Sequence, residues 1–438
     1  METSSFPLAL SLFFFLLLGS RAKVPPAEQF QFTNKGGFLD YSPIEYGATV
    51  RGFLPVNDNF RLSFYNTTPN AYTLALRMGN RAQESTLRWV WEANRGNPVR
   101  ENAVLTFGED GNLVLAEVNG RVAWQTNTAN KGVVGIKVLE NGNMVLYDAK
   151  GNFVWQSFDF PTDTLLVGQS LKANGRNKLV SRLSRSVNVD GPYSLVMEPK
   201  RLVLYYTTNM TQKPIAYYEY EFFTKINTRF ESMTFKVKED AFDTTYGMSF
   251  EGKIQGSQFN ASAFLSRPKH NATLSFIRLE SDGNVRVYSY STAATATAWD
   301  VTYTAFTRDD FDGNDDCRLA TWCGDFGLCR KSQCNACPTD KGLTGWDETC
   351  RPPKLTSCDP KTFHYFKLEG VDHFMTKYNG GSTATENGCG DKCTKDCKCM
   401  GFFYNRKSSK CWLGYELKTL TKSGDASQVA YVKAPNGK

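Results

Sequence analysis

Twelve cysteines, an even number, all lie between Cys317 and Cys411 of a 438-residue chain. Four Asn-x-Ser/Thr sequons, at Asn66, Asn209, Asn260 and Asn271, accompany them, and together they point to an exported chain whose thiols pair in an oxidising setting. Catalytic chemistry finds little footing. The three histidines, His270, His364 and His373, stand beside no nucleophile motif, and there is no Gly-x-Ser-x-Gly, phosphate loop or His-Glu-x-x-His. The carboxylate pairs Asp309–Asp310 and Asp315–Asp316 sit in a Gly- and Asp-rich stretch that reads as solvated loop. Zinc held through Cys334-x-x-Cys337 is disfavoured in an exported chain with no nearby histidine. The chain is therefore expected to be non-enzymatic, without cofactor or metal.

The elements that carry these residues are strands. Val104 to Gln125 (VLTFGEDGNLVLAEVNGRVAWQ) and Gly135 to Gln156 (GIKVLENGNMVLYDAKGNFVWQ) superpose on a shift of 31 residues, which brings Gly111 onto Gly142, Asn112 onto Asn143 and Trp124 onto Trp155. Each copy has a turn dipeptide, an alternating apolar run, a second turn and a Trp-Gln pair, the pattern of repeated β-hairpins. Trp91 marks a weaker, earlier copy. Three such copies predict a β-prism in which Trp91, Trp124 and Trp155 meet at a shared core, each indole N–H needing a partner. Residues 23 to 45 read as an extended lead-in, since Pro25 and Pro26 exclude helix.

At the start, FPLALSLFFFLLLGSRA has an apolar run of about a dozen residues, short for a membrane span and followed by small residues. Residues 1–22 are expected to be a signal peptide, with no later membrane span. The net charge is +7, and the stretch from Cys358 onward holds 13 basic against 8 acidic residues, so much of the excess is local. No nucleic acid is expected as a partner.

Several runs resemble known families. DGNLVL and NGNMVLYDAKGNFVWQSFDFPTDTLL are similar to the bulb-type mannose-binding lectin domain. That resemblance implies sugar sites on strands reading Gln-x-Asp-x-Asn-x-Val-x-Tyr. Alternate residues project from one strand face, so amide, carboxylate and phenol can grip adjacent hydroxyls while Val packs on ring carbons. Here the candidates are Asp110, Asn112 and Val114 in one copy and Asn141, Asn143, Val145 and Tyr147 in the next. Neither set is complete. The first has Gly108 and Ala116 where Gln and Tyr are wanted, the second has Leu139 in place of Gln, and a copy near Phe60, Leu62 and Phe64 is apolar. Phe276 to Tyr290 (FIRLESDGNVRVYSY) repeats the rhythm with Glu280, Asp282, Asn284, Arg286 and Tyr288 on one face; its Arg argues against the usual pocket, although an Arg and two acids could take another polar ligand.

The order of features resembles the extracellular half of plant S-domain receptor kinases. DDCRLATWCGDFGLCRKSQCNACP is similar to the EGF-like module of S-locus glycoproteins, which implies the pairs Cys317–Cys329, Cys323–Cys334 and Cys337–Cys350. CGDKCTKDCKCMGFFYNRKSSKCWL resembles a plant PAN/Apple domain, which implies Cys393–Cys399 and Cys389–Cys411 and leaves Cys397 for Cys358. A helix from Gly388 to Cys397 would put Cys389, Cys393 and Cys397 on one face, too far apart to bond one another along it.

From about Tyr46 to Val432 the chain resembles the EP1-like type of secreted plant glycoprotein. The resemblance implies an all-β chain: a lectin β-prism over 46–166, a second, diverged β domain over 167–312, an EGF-like module over 313–352 and a PAN/Apple domain over 358–434. The leading expectation is an extracellular protein of the cell wall or apoplast, with degenerate sugar sites toward mannose-type glycans or glycoproteins. The alternative is a protein-interaction module acting through the PAN domain on a receptor ectodomain or a secreted enzyme, with no sugar binding.

Overall fold

The structure, a computed structural model, describes residues 22–37, 45–55, 59–79, 87–208, 210, 212–220, 228–239, 244–268, 274–290, 299–308 and 315–436. The expected signal peptide falls almost wholly outside them, as do Asn209, Asn271, His270 and the pair Asp309–Asp310.

Apolar alternation and Gly or Asn turns fold the stretch from Phe30 to Gln156 into three antiparallel sheets. One orders Thr49–Pro55, Phe60–Asn66, Thr73–Met78 and Arg88–Glu92; another Phe30–Thr33, Val104–Phe107, Leu113–Ala116 and Val122–Gln125; the third Phe153–Gln156, Met144–Asp148 and Val133–Val138. The three tryptophans meet between them. Their rings pack edge to face, with centroids 5.7 Å apart for Trp91–Trp124, 6.0 Å for Trp91–Trp155 and 5.9 Å for Trp124–Trp155. The Trp91 indole N–H donates to the Phe160 carbonyl at 3.0 Å.

The lead-in is not detached. Phe30–Thr33 pairs antiparallel with Val104–Phe107, and the Phe30 and Phe107 rings lie 5.8 Å apart. Phe30 and Phe32 flank Gln31, so the alternation of a strand was present in the lead-in itself.

The second β region is also a prism of three sheets, each of four strands. These are Thr164–Leu166, Leu274–Leu279, Val285–Tyr290 and Trp299–Thr304; Ser170–Lys172, Thr228–Glu239, Thr244–Ile254 and Ser257–Ser266; and Lys178–Arg182, Asp190–Met197, Leu202–Thr207 and Pro214–Tyr220. Thr164–Leu166, expected at the end of the first body, instead pairs Leu165 with Ile277 in the second. The physical cause is reach: a short segment leaving the first prism finds an open edge on the next.

The cysteine-rich part is one fused unit. Phe326–Arg330, Gln333–Thr339 and Gly342–Gly345 share a five-stranded sheet with Lys418–Lys422 and Val371–His373, and Phe326–Arg330 runs parallel to Lys418–Lys422. The expected boundary between 313–352 and 358–434 is therefore crossed by sheet hydrogen bonds. A second sheet orders Phe363–Glu369, Gln428–Pro435, Gly401–Asn405, Lys410–Gly414 and Ser382–Thr383, with the helix Glu386–Lys395 packed on it. Sulfur pairs join Cys317–Cys329, Cys323–Cys334, Cys337–Cys350, Cys358–Cys397, Cys389–Cys411 and Cys393–Cys399. The helix is capped by Thr385, whose hydroxyl accepts from the Gly388 N–H at 3.0 Å, and it stops at Lys395, so Cys397 lies beyond it rather than on its face. Asp315 and Asp316 are not a solvated pair: Asp315 caps a short turn by accepting from the Cys317 N–H at 3.1 Å, and Asp316 is buried.

His373 is buried in this last unit, with Nε2 against the Leu417 carbonyl at 2.9 Å and Nδ1 accepting from the Met375 N–H at 3.3 Å. Burial pushes its imidazole down to about 3. The unfolded chain binds a proton at this ring below about 6.5 while the folded one does not, so stability falls as pH drops from about 6.5 toward about 3. At pH 5 the loss from this group is about 2 kcal/mol relative to pH 8. Urea denaturation of the wild type and His373→Gln across that range checks it; a difference between the two that does not change with pH would remove His373 as the cause.

Candidate carbohydrate-binding faces

The sugar candidates sit at the hairpin corners of the first prism. At Asp110-Gly111-Asn112, Asp110 Oδ1 accepts from the Asn112 N–H at 3.0 Å, and Gly111 has φ +75° with no room for a Cβ, which would lie 2.7 Å from Val133. Asn112 Nδ2 donates to Gln125 Oε1 at 2.9 Å, and its Oδ1 accepts from the Thr126 hydroxyl and the Thr128 N–H, each at 3.0 Å. The next copy repeats the clamp. Asn143 Nδ2 donates to Gln156 Oε1 at 2.9 Å, while its Oδ1 accepts from the Phe158 N–H at 3.2 Å and the Ser157 hydroxyl at 3.3 Å.

This geometry corrects the expectation for three candidates. Asn112 and Asn143 are buried and use their amides to lock the repeat's Gln and the chain that follows it; they are corner posts, not free sugar ligands. Val145 is wholly buried and offers no surface to ring carbons. Asp110 and Asn141 are exposed, and Val114 and Tyr147 are half-buried. The Lys137 ammonium lies 4.8 Å from the Tyr147 ring centre. The one sequence signal for the clamp was the repeated Gln after each Trp, at Gln125 and Gln156, whose recurrence marks a side chain with a fixed partner.

Truncating a corner tests its role. Asn143→Ala is expected to cost about 1–3 kcal/mol, because it removes the acceptor of the Phe158 N–H and the donor to Gln156 Oε1; thermal or urea unfolding measures it, and an unchanged midpoint would contradict a structural role.

The sequons also separate. Asn260 is exposed on the strand Ser257–Ser266. Asn66, by contrast, is buried and accepts from the Thr49 hydroxyl, so a glycan there requires the side chain to leave its place.

A third polar face lies in the second prism. Asp282-Gly283-Asn284 repeats the corner, and Asn284 is buried, with Nδ2 donating to the Phe306 carbonyl at 3.0 Å. Beside it Tyr288 donates to Glu280 Oε1 at 2.7 Å, and Arg286 holds Asp282 through both terminal nitrogens at 3.1 and 2.7 Å. Burial pushes the Glu280 carboxyl up, against the pull of Arg278. This face opens on a cavity of about 660 Å³ whose other wall includes Glu45, Tyr46 and Arg88 of the first prism.

The family described as D-mannose binding lectin is matched over residues 88–186. EP1-like glycoprotein 3 of Arabidopsis thaliana is 76% identical over 98% of this chain and 98% of its own. The epidermis-specific secreted glycoprotein EP1 of Daucus carota is 52% identical over 83% of this chain and 98% of its own. A PAN domain-containing protein of Arabidopsis thaliana is 24% identical over 89% of this chain and 76% of its own.

Proposed function

The chain belongs to the EP1-like glycoprotein family, and from that premise we propose that it is a secreted, non-enzymatic glycoprotein of the plant cell wall or apoplast whose first prism makes weak contacts with mannose-type glycans. One observation carries the reading: with Asn112 and Asn143 committed to the corners, the first face keeps one accessible polar candidate, Asp110 beside the apolar Val114, and the second keeps two, Asn141 and Tyr147. Single contacts of that size are weak, and strength comes from several engaged on one multivalent glycan. The relative from carrot is named a secreted glycoprotein, and among the described residues no helix is long and apolar enough to cross a membrane.

The test uses the full secreted chain on a mannose-displaying matrix and a glycan array. Retention on dense mannose surfaces is expected, with Tyr147→Ala weakening it about tenfold, or about 1.4 kcal/mol, at an unchanged melting temperature. Absence of retention on any multivalent mannose surface would sink the proposal. A second reading, docking of an acidic protein surface on the PAN-like region, is favoured by the exposed Lys354 and Lys398, which flank an open groove of about 680 Å³. Capture of a receptor ectodomain or secreted enzyme that is lost in the Lys354→Glu and Lys398→Glu variant would support it.

A further inference from the structure

We propose that the cavity between the two prisms is a binding site for an acidic sugar, a uronic acid residue of a saccharide whose carboxylate is held by arginine. The inference is independent of mannose binding on the first prism's faces.

The cavity, about 660 Å³, lies within the range of about 300–1,000 Å³ typical of small-ligand sites. Its walls are built, not incidental. Arg182 is almost fully buried; its Nε donates to the Ser184 carbonyl at 2.9 Å, and its Nη1 donates to the Tyr65 hydroxyl at 2.6 Å and to Glu92 at 3.2 Å. Its Nη2 is enclosed and without a hydrogen-bond partner among the described residues, and the guanidinium lies over the Tyr46 ring at 4.4 Å. Arg182 therefore gives the wall positive charge, while the guanidinium donors that a ligand can reach are those of Arg185 and of the part-exposed Arg286. Arg185, three residues on, also lines the cavity, is exposed, and has no ion pair among the described residues. Arg286 stands where the repeated pattern of the first prism has Val114 and Val145, which replaces a surface for ring carbons by a cation.

The balance of groups selects the ligand class. Among the described residues five arginines and four carboxylates line the cavity, an excess of one positive charge. Glu280 and Asp282 can accept from sugar hydroxyls, and Tyr288, whose hydroxyl proton goes to Glu280, lines the same cavity with an oxygen that can accept from one more. One anionic group with several neutral hydroxyls matches that set. A phosphate dianion would over-compensate the charge and leave the acidic acceptors facing it, and a neutral hexose would leave the excess cation unmatched.

Titration calorimetry on the full chain tests the assignment with three probes: a galacturonic acid trisaccharide, its methyl ester and mannotriose. The trisaccharide acid is expected to bind at least tenfold more tightly than the ester, and Arg185→Gln and Arg286→Gln are each expected to weaken it about fivefold or more. Retention on mannose surfaces should be unchanged in both variants, so failure here and failure of the mannose reading are told apart. If Arg286→Gln lowers the melting temperature, Arg185→Gln, exposed and unpaired, decides. Equal binding of acid and ester, no binding of the acid at millimolar concentration, full affinity in Arg185→Gln, or inorganic phosphate binding as tightly as the trisaccharide would each overturn the proposal.

Discussion

Replacing Arg95 by methionine is expected to remove about 3–5 kcal/mol of stability at neutral pH, the cost of leaving buried charges without their partner. Arg95 is nearly enclosed and ties three parts of the chain together: Nε to Glu92, Nη2 to Asp163 at 2.7 Å, and Nη1 to the Val180 carbonyl at 3.0 Å. Methionine has a similar length and no donors, so the change removes charge and hydrogen bonds with little change in volume. Glu92 keeps Arg182, but Asp163 loses a close cation. Burial by itself would raise the Asp163 carboxyl, yet Arg95 and Arg278 hold it below the usual carboxylate range. In the wild type that group contributes stability present above about pH 4 and lost as pH falls through its folded value. In the variant the same carboxyl is raised, so its contribution is lost as pH climbs. The deficit should therefore be largest near pH 7 and shrink toward pH 4. Urea denaturation at both values measures it, and a deficit under about 1 kcal/mol, or one independent of pH, would show that the network does not join the prisms energetically.

The other large effect is expected at the three-tryptophan centre. Trp155→Ala should cost about 3–5 kcal/mol, through lost apolar burial and a cavity that three separate sheets cannot readily close. Two edge-to-face contacts, with Trp91 and Trp124, disappear together, as does a stack on Phe160 at 5.5 Å. Phe160 also supplies the carbonyl that accepts from the Trp91 indole, so the damage reaches the segment leading to the second prism. Trp124 is less buried than Trp91 or Trp155. Trp124→Ala should thus be the mildest of the three, and equal losses at all three positions would contradict a core ordered by burial.

How much of this was legible beforehand differs by feature. Gly111, Gly142 and their flanking alternation disclosed hairpins and a threefold body, because turn geometry and strand period are written in adjacent residues. The meeting of Trp91, Trp124 and Trp155 followed from the repeat. The segment Phe30–Thr33 was legible as extended but its pairing with Val104–Phe107 was not, and the second prism was obscured by drift of its repeats. The roles of Asn112 and Asn143 were misread, since an asparagine that grips a sugar and one that grips Gln125 or Gln156 occupy the same strand position.

The amino-acid sequence by itself determined the all-β character, the corner turns and an even set of cysteines suited to pairing, all properties carried by residues a few positions apart. Only the tertiary structure decided which side chains are consumed inside and which face a ligand. Arg278, for instance, meets Glu45 at 2.6 Å across 233 positions of chain, and no local spacing encodes a contact of that separation. The physical reason is that period and turn act through neighbouring bonds, whereas desolvation and charge pairing depend on what the fold brings alongside.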